Sequence, residues 1–417
     1  MQDNEKKPAL RFKGFTDPWE QRKLAELTKT ITTGKSVNSD EGEVSDGDIG
    51  VLKTSCVSYD RFNPSESKPV VKSEQQLVKC AVEKDSVIVS RMNTPERVGA
   101  CGYVSTDFPN LFLPDRLWKL KFQDTVDTYF VYMMLVSSDY KEKITSMASG
   151  TSGSMYNIPK ETFLNLQLVI PAKIDEQKQL GKILKKIDTL ITLHQRKYEK
   201  LVNIKKSMLD KMFPKNGASV PEIRFKGFTD PWEQRKISEL AEKTYGGGTP
   251  TTSNEAFWNG NIPWIQSSDI VDGKLMGVEP RKYITQTGLN NSATQLVPKD
   301  SIAIITRVGV GKLAYMPFSY STSQDFLSLS KLNTEPFFTV YACYKKLQSE
   351  LNTVQGTSIK GITKDELLAK TISVPVYSEQ KQIGSFFTQL DTLITLHQRK
   401  LEKLQNIKKS CLEKMFV

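Results

Sequence analysis

The chain has 417 residues, of which 38% are hydrophobic and 25% are charged, and it carries a net charge of +11 at pH 7. This composition is typical of a folded soluble protein and excludes a fibrous or largely disordered chain. The positive charge favours a polyanionic partner such as nucleic acid, although a solvated basic surface would give the same total.

Membrane insertion, secretion and metal binding find no support in the sequence. No apolar run approaches the length of a membrane span, and the first residues, "MQDNEKKPAL", lack the hydrophobic core of a signal peptide. We therefore expect a cytoplasmic protein without membrane contact. The five cysteines are scattered and only two histidines accompany them, which favours free thiols over disulfides or a metal site.

Two strings occur twice along the chain. The first, "RFKGFTDPWEQRKL" at 11–24, returns at 224–237 with one conservative change, and we call each copy the tag. The second, "DTLITLHQRK", occurs at 188–197 and 391–400. The intervening bodies hardly resemble each other, so the chain repeats one plan of constant tag, divergent body and constant helical end. The tag tryptophans, Trp19 and Trp232, are expected to pack within this constant frame.

Each body combines short β-rich runs with fewer helices. The first contains "SVIVSR" at 86–91 and "LQLVIP" at 166–171, and the second contains "SIAIITRVG" at 301–309 and "TISVPV" at 371–376. Helices are expected at 128–148 and 336–354. The predicted class is therefore α+β, with two tandem domains of similar plan related by an internal pseudo-twofold repeat.

The constant ends have the apolar spacing of long helices. Residues 176–213 hold ten Lys and Arg against four acids, and residues 379–416 hold seven against four. The two helices are expected to join and space the bodies as an antiparallel coiled coil, with the histidines fixing register rather than catalysing a reaction. The predicted seam contains Ile187, Leu190, His194, Leu201, Leu390, Leu393, His397 and Leu404.

The order of these motifs resembles the specificity subunit of Type I restriction-modification enzymes. The resemblance rests on the repeated tag, "GGGTP" at 246–250, "GNIPWIQSSDI" at 260–270, the "GTS" strings at 150–152 and 356–358, and the repeated helical ends. The first body departs from the pattern, because its counterpart of the second motif is the degraded "GDIGVLKTSCV" at 47–57. It also has no good copy of "GGGTP" after Thr33.

The resemblance implies a domain plan and a set of partners. Residues 1–175 and 224–378 would be target recognition domains that read a split asymmetric sequence in double-stranded DNA. Residues 176–213 and 379–417 would be the constant helices, with a linker at 214–223. The partners would be two methyltransferase subunits and the restriction, or translocase, subunits. S-adenosylmethionine, ATP and Mg would be cofactors of those subunits, and none would belong to this chain.

Polar glycine-containing loops are the candidate DNA contacts, because base edges are read by side-chain donors and acceptors held over a rigid scaffold. In each body the first such loop follows a β-rich run, as a hairpin tip would, although such loops are more often only turns. Thr249, Gln266 and Ser267 come from the motifs that carry the resemblance. The complete set of expected contacts is Arg91, Asn93, Arg97, Thr151, Ser152, Ser154, Tyr156, Thr249, Gln266, Ser267, Arg307, Lys312, Gln324, Thr357, Ser358 and Lys360.

The sequence lacks a phosphate-binding loop, an adenine-methylase string and a serine-hydrolase elbow. We therefore expect no catalytic residue and no chemistry in this chain, which would confer specificity on the methyltransferase and endonuclease of a complex. Two alternatives remain at this point. One is an independent two-domain DNA-binding regulator, and the other is a coiled-coil scaffold that binds only proteins.

Overall fold

The structure, a computed structural model, describes residues 7–59, 61–150, 154–215, 217–353 and 361–416. The strands of the first half are β1 Glu20–Lys23, β2 Thr28–Thr33, β3 Gly50–Leu52, β4 Val57–Ser58, β5 Arg61–Phe62, β6 Ser67–Pro69, β7 Ala81–Val82, β8 Ser86–Ser90, β9 Met92–Asn93, β10 Cys101–Val104, β11 Phe108–Phe112, β12 Leu117–Phe122, β13 Tyr156–Asn157 and β14 Gln167–Ile170. Its helices are α1 Leu24–Leu27, α2 Thr128–Leu135, α3 Ser138–Ser146, α4 Lys160–Leu164 and α5 Ile174–Lys211.

The second half follows a similar order. Its strands are β15 Glu233–Lys236, β16 Ala241–Gly246, β17 Trp258–Ile265, β18 Lys282–Ile284, β19 Ser301–Ile305, β20 Leu313–Met316, β21 Ser321–Thr322, β22 Phe326–Leu332 and β23 Thr371–Val374. Its helices are α6 Gln286–Asn290, α7 Pro336–Thr353, α8 Lys364–Ala369 and α9 Tyr377–Met415.

The chain divides into two compact units that are not continuous in sequence. The first unit contains the residues up to His194 together with those from Lys400 onward, and the second contains Gln195–Arg399. Each unit therefore includes one body, the first part of one long helix and the last part of the other. The functional division drawn from the sequence, with recognition domains separate from constant helices, stays a prediction.

Both units are built on an antiparallel sheet with the same connectivity. The strand order is β10-β8-β12-β2 in the first unit and β20-β19-β22-β16 in the second. A smaller mixed sheet accompanies each of them, with order β6-β3-β11-β7 in the first unit and β18-β17-β21 in the second. One core in each unit joins the main sheet to the helices, and it contains Phe130 and Leu184 in the first unit and Phe338 and Phe387 in the second. The predicted α+β class is confirmed.

The β-rich runs and most helices fall where the sequence predicts them, with one correction. The segment 128–148 was expected as a single helical stretch, but it forms α2 and α3 with a break between them. Ser137 has extended backbone angles at the break, and its hydroxyl donates to the Met134 carbonyl oxygen at 2.7 Å. A side chain that satisfies a carbonyl at a helix end favours termination there.

Each tag closes its own unit by pairing with the last strand of the body. Strand β1 pairs antiparallel with β14, with Glu20 opposite Ile170, and β15 pairs with β23, with Glu233 opposite Val374. The constant tag and the start of the constant helix thus meet at the base of each unit.

A buried ion pair joins each tag to the first turn of the following long helix. Arg11 donates to both carboxylate oxygens of Glu176 at 2.6 and 2.8 Å, and Arg224 does the same to Glu379 at 2.7 and 2.8 Å. Both carboxylates are buried. Such two-pronged contacts fix orientation as well as charge.

The tag tryptophans are buried in the cores of their units, as the sequence predicts. Trp19 Nε1 donates to Glu176 Oε1 at 3.3 Å. Among the described residues, Trp232 Nε1 has no hydrogen-bond partner. The two copies of the frame are therefore alike in packing but not in every hydrogen bond.

The glutamine after each buried glutamate connects the long helix to the body. Gln177 accepts from the Asp127 backbone N–H at 3.0 Å, and Gln380 accepts from the Glu335 backbone N–H at 2.9 Å. Asp127 and Glu335 in turn accept from backbone N–H groups in the first turns of α2 and α7. Burial raises the pKa of both carboxyl groups above their ordinary values.

The repeated helical strings supply reciprocal contacts between α5 and α9. In the first unit Asp188 lies 2.8 Å from Lys408 Nζ and accepts from the Tyr129 hydroxyl at 2.5 Å. Because a residue early in α5 meets one late in α9, the helices run antiparallel there. Burial, together with the Asp188 carboxylate, raises the pKa of Tyr129, so the phenol keeps the proton that it donates.

The second unit contains the same arrangement with the helices exchanged. Asp391 lies 2.6 Å from Lys205 Nζ and accepts from the Tyr341 hydroxyl at 2.6 Å. Asp188 and Asp391 are the first residues of the two copies of the repeated string, and Lys205 and Lys408 follow them in their own helices, 17 residues on in each case. The repetition of the helical ends is therefore explained by a helix pair in which each helix supplies the acid to one contact and the base to the other.

The predicted seam needs one correction. Leu390 is buried, and Ile187, Leu190, His194, Leu201, His397 and Leu404 are half-buried. Leu393 is 43% exposed, whereas its neighbour Ile394 is half-buried. The buried stripe of α9 thus continues from Leu390 to Ile394, four residues on, because a helix of 3.6 residues per turn drifts against a strict spacing of three.

Candidate nucleic-acid interface

The candidate contact residues lie mainly at one end of the main sheet in each unit, where β8 connects to β10 in the first unit and β19 connects to β20 in the second. Strands β8 and β10 form a hairpin with Val89 opposite Cys101, and β19 and β20 form the matching hairpin with Ile304 opposite Leu313. The segment 306–312 joins β19 and β20 as a hairpin tip, as predicted. The segment 91–100 joins β8 and β10 in the same way but is longer and contains β9.

In the second unit, hydrogen bonds bring four separate segments together at this end. The Thr249 hydroxyl donates to Gln324 Oε1 at 2.6 Å, and the Ser267 hydroxyl donates to Asp325 Oδ2 at 3.2 Å. Thr306 donates through its hydroxyl to the Asp325 carbonyl oxygen at 3.0 Å. The segments at 249, 266–267, 306–307 and 324–325 therefore form one polar surface.

The exposure of the predicted residues differs within this surface. Thr249, Arg307 and Gln324 are exposed, whereas Gln266, Ser267 and Lys312 are half-buried. Lys312 lies at the base of the hairpin loop, where its carbonyl oxygen accepts from the Ile305 N–H. The chain returns to the same place beyond residue 360, since the Ile362 N–H donates to the Thr306 carbonyl oxygen at 2.7 Å. Thr357, Ser358 and Lys360 lie outside the described residues.

In the first unit, Arg91 is held against the chain that leads into β12. Its Nε donates to the Asp115 carbonyl oxygen at 2.8 Å, and its backbone N–H donates to the Arg116 carbonyl oxygen. Arg97 and Ser154 are exposed and Tyr156 is half-buried on β13. Thr151 and Ser152 lie outside the described residues.

Asn93 requires a correction, because it does not face solvent. Its side chain is 7% exposed, its amide donates to the Ser90 hydroxyl at 3.1 Å, and its Oδ1 accepts from the Thr94 N–H at 2.9 Å. The polar groups of Asn93 are thus used in shaping the turn, and we remove it from the candidate contacts.

The structure adds a site that the sequence analysis missed, the turn after β2. A Cβ on Gly34 would lie 1.5 Å from the Leu113 carbonyl oxygen, and one on Gly247 would lie 1.8 Å from the Ser323 carbonyl oxygen. Only glycine permits this backbone approach. The "GGGTP" motif therefore has a structural copy in the first body, at residues 33–37.

The copied turn positions a hydroxyl in the same way. Ser36 donates to Asp115 Oδ1 at 2.5 Å, as Thr249 donates to Gln324. The sequence holds one signal of this equivalence, because Ser36 and Thr249 are separated by the same 213 residues as the two tags.

Comparison with known proteins identifies the family to which this architecture belongs. The model of the Type I restriction modification DNA specificity domain matches residues 16–203 and again residues 229–406. The two matches cover most of the chain and coincide with the structural repeat. The chain belongs to the family of Type I restriction-modification specificity subunits.

Individual members of the family agree with this assignment. The chain is 21% identical over 403 residues to the MjaX specificity subunit of Methanocaldococcus jannaschii, covering 94% of this chain and 91% of the relative. It is 30% identical over 169 residues to the EcoR124I/EcoR124II specificity subunit of Escherichia coli, covering 39% and 41%. The crystal structure of the S subunit from M. genitalium matches with a TM-score of 0.66 at 17% identity, covering 99% of both chains, and it supports the fold.

A specificity subunit is not catalytic by itself, and it serves a Type I restriction-modification system. Within the described ranges, no group of three or more His, Cys, Asp or Glu side chains could hold a metal ion. No helix in the same ranges is long and apolar enough to cross a membrane. All five cysteines are free thiols, and burial raises the pKa of Cys101 and of Cys343 to about 12.

Proposed function

We propose that each unit is a target recognition domain and that the chain directs methylation and cleavage to a split, asymmetric sequence in double-stranded DNA. One observation carries this proposal. Each unit has a polar surface at the same end of its main sheet, and the two bodies that form these surfaces differ in sequence although the tags and long helices repeat. Divergent surfaces on a constant frame suit two different half-sites.

The chemistry of these surfaces supports DNA as the ligand. Arg91 and Arg97 lie between β8 and β10 in the first unit, with Arg91 bonded to the segment that contains Arg116, and Arg307 and Lys312 lie on the hairpin of the second. Cationic side chains position a protein on phosphates, while hydroxyl, amide and carboxylate groups discriminate between bases. Both kinds of group occur together at each end.

The constant helices are proposed to bind the other subunits. Large apolar side chains on them are exposed, including the equivalent pair Leu193 and Leu396 as well as Val202 and Ile407. Exposed apolar residues on a surface that is repeated in the chain suit partners that bind twice. We propose two methyltransferase subunits there, with restriction subunits joining the complex, and with S-adenosylmethionine, ATP and Mg used by those partners.

Co-expression with a Type I methyltransferase subunit tests the proposal. We expect a stable complex that methylates DNA at one bipartite motif, whereas the methyltransferase subunit alone methylates no motif. A chain that binds specific DNA but forms no such complex would indicate the regulator, and a complex that methylates without sequence preference would indicate the scaffold. Either result contradicts the proposal.

A further inference from the structure

The strand registers identify which residues of the two divergent bodies occupy the same place. Trp118 on β12 lies opposite Thr33 and Val89, and Leu327 on β22 lies opposite Gly246 and Ile304. Since β12 and β22 are equivalent strands in the two sheets, Trp118 corresponds to Leu327.

Counting from these strands gives an equivalent pair of side chains in each unit. Three residues before Trp118 is Asp115, and three residues before Leu327 is Gln324. Three residues after Thr33 is Ser36, and three residues after Gly246 is Thr249. The bonds from Ser36 to Asp115 and from Thr249 to Gln324 are therefore one structural feature with different chemistry in the two bodies.

In both pairs the hydroxyl orients a polar group at the surface. Ser36, Thr249 and Gln324 are exposed and Asp115 is half-buried. Among the described residues, no group bonds to the Gln324 amide nitrogen or to Asp115 Oδ2. Each side chain is thus fixed through one oxygen, which keeps a second lone pair, while its other polar atom stays available to a ligand. Fixing the side chain in advance reduces the entropic cost of binding.

We propose that residues 115 and 324 determine base specificity, with Asp115 reading cytosine in one half-site and Gln324 reading adenine in the other. This inference rests on the proposed function. A carboxylate accepts from the N4 amino group of cytosine, whereas a glutamine amide pairs with both N6 and N7 of adenine. Ser36 and Thr249 are positioning residues that hold each reader in its orientation.

The feature is suited to changing specificity without disturbing the fold. Asp115 and Gln324 precede their strands, and their side chains lie outside the buried cores. The close approach of Gly34 and Gly247 to the opposite backbone fixes the turn independently of the two readers. A different side chain at 115 or 324 would therefore still face the hydroxyl of Ser36 or Thr249, because the turn that carries this hydroxyl keeps its position.

The test uses the complex of the full chain with a methyltransferase subunit and maps methylated motifs by long-read sequencing. Asp115→Asn removes the second acceptor and introduces a donor, so we expect discrimination for cytosine at one position to fall by about 5- to 150-fold. Gln324→Glu is expected to lower discrimination for adenine at one position of the other half-site by a similar factor. In each variant the remaining half-site stays unchanged.

Matched controls carry the same substitutions elsewhere. Asp124→Asn changes a carboxylate that is 94% exposed and follows β12, as Asp115 precedes it. Gln234→Glu changes an exposed amide on β15 that also bonds to a hydroxyl, that of Ser373 at 2.7 Å. Both control variants are expected to keep the wild-type motif.

Ser36→Ala and Thr249→Ala keep the readers and remove only the positioning bond. We expect them to retain the preferred base with weaker discrimination, which also tests the inference if a reader variant fails to fold. If all four site variants discriminate between bases as well as the wild-type chain does, the inference is overturned. It is also overturned if the wild-type motif does not have a G·C pair in one half-site together with an A·T pair in the other. A wild-type complex without any methylated motif would instead overturn the proposed function.

Discussion

At the scale of single residues, the repeated tag is best explained by the ion pair that it makes. The Arg11 guanidinium is directed at a carboxylate that water cannot reach, and Arg224 repeats this contact. A buried pair adds little stability compared with an apolar replacement of both partners, but removing one partner leaves an unpaired buried charge. The tag therefore holds the start of the long helix in a fixed orientation.

Substitution of two arginines in the first tag compares the contribution of a buried ion pair to stability with that of an exposed ion pair. Arg11→Ala is expected to lower the free energy of unfolding by about 3 to 5 kcal/mol, because Glu176 loses its partner. Arg22→Ala in the same tag removes an exposed pair with Glu26 at 2.5 Å and is expected to lower the free energy of unfolding far less, because solvent screens that pair. Urea denaturation of both variants checks the comparison, and equal losses would rule out the structural role of the buried pair.

Single contacts were the least predictable level of the structure. Asn93 has the residue type and the loop position of a base contact, but its burial depends on the local turn. The bond between Ser36 and Asp115 joins residues 79 positions apart, and it follows from the register of β12 against β2. Neither composition nor periodicity encodes such a register directly.

At the scale of elements, the helical ends were predictable because their pattern is long and regular. Many consecutive turns repeat the same apolar spacing, and the observed helices begin and end within two residues of the predicted segments. The break between α2 and α3 was missed because residues that favour a helix occur on both sides of it, Met and Leu in α2 and Lys and Glu in α3. A single serine at the break changes the outcome.

The corrected course of the α9 stripe gives a sharp comparison between neighbouring leucines. Leu390→Asp buries a carboxylate in the core of the second unit, and we expect a loss of at least about 3 kcal/mol in unfolding free energy. Leu393→Asp, on the exposed side of the same helix, is expected to change it by less than about 1 kcal/mol. Thermal or urea unfolding of the isolated chain is the measurement. Comparable destabilisation by both substitutions would restore Leu393 to the seam.

At the scale of the whole molecule, the duplication visible in the sequence is also the organising feature of the fold. A sheet of the same strand order, a buried arginine pair and a contact between the long helices occur once in each unit. The family and the α+β class were accessible from the sequence because they depend on order and repetition. The equivalence of the two reading surfaces was not, because the bodies diverge in sequence and share only their backbone pairing.

The central claim is that the two bodies read separate halves of one DNA sequence, and exchange of one body tests it most directly. Replacing residues 28–165 by the equivalent segment of another specificity subunit leaves the tag, β14 and both long helices in place. The measurement is the methylated motif in a host that carries the chimaera and a methyltransferase subunit, compared with the motif of the wild-type chain. We predict that one half-site changes and the other stays identical. A change in both half-sites, or in neither of them with methylation intact, would contradict the account.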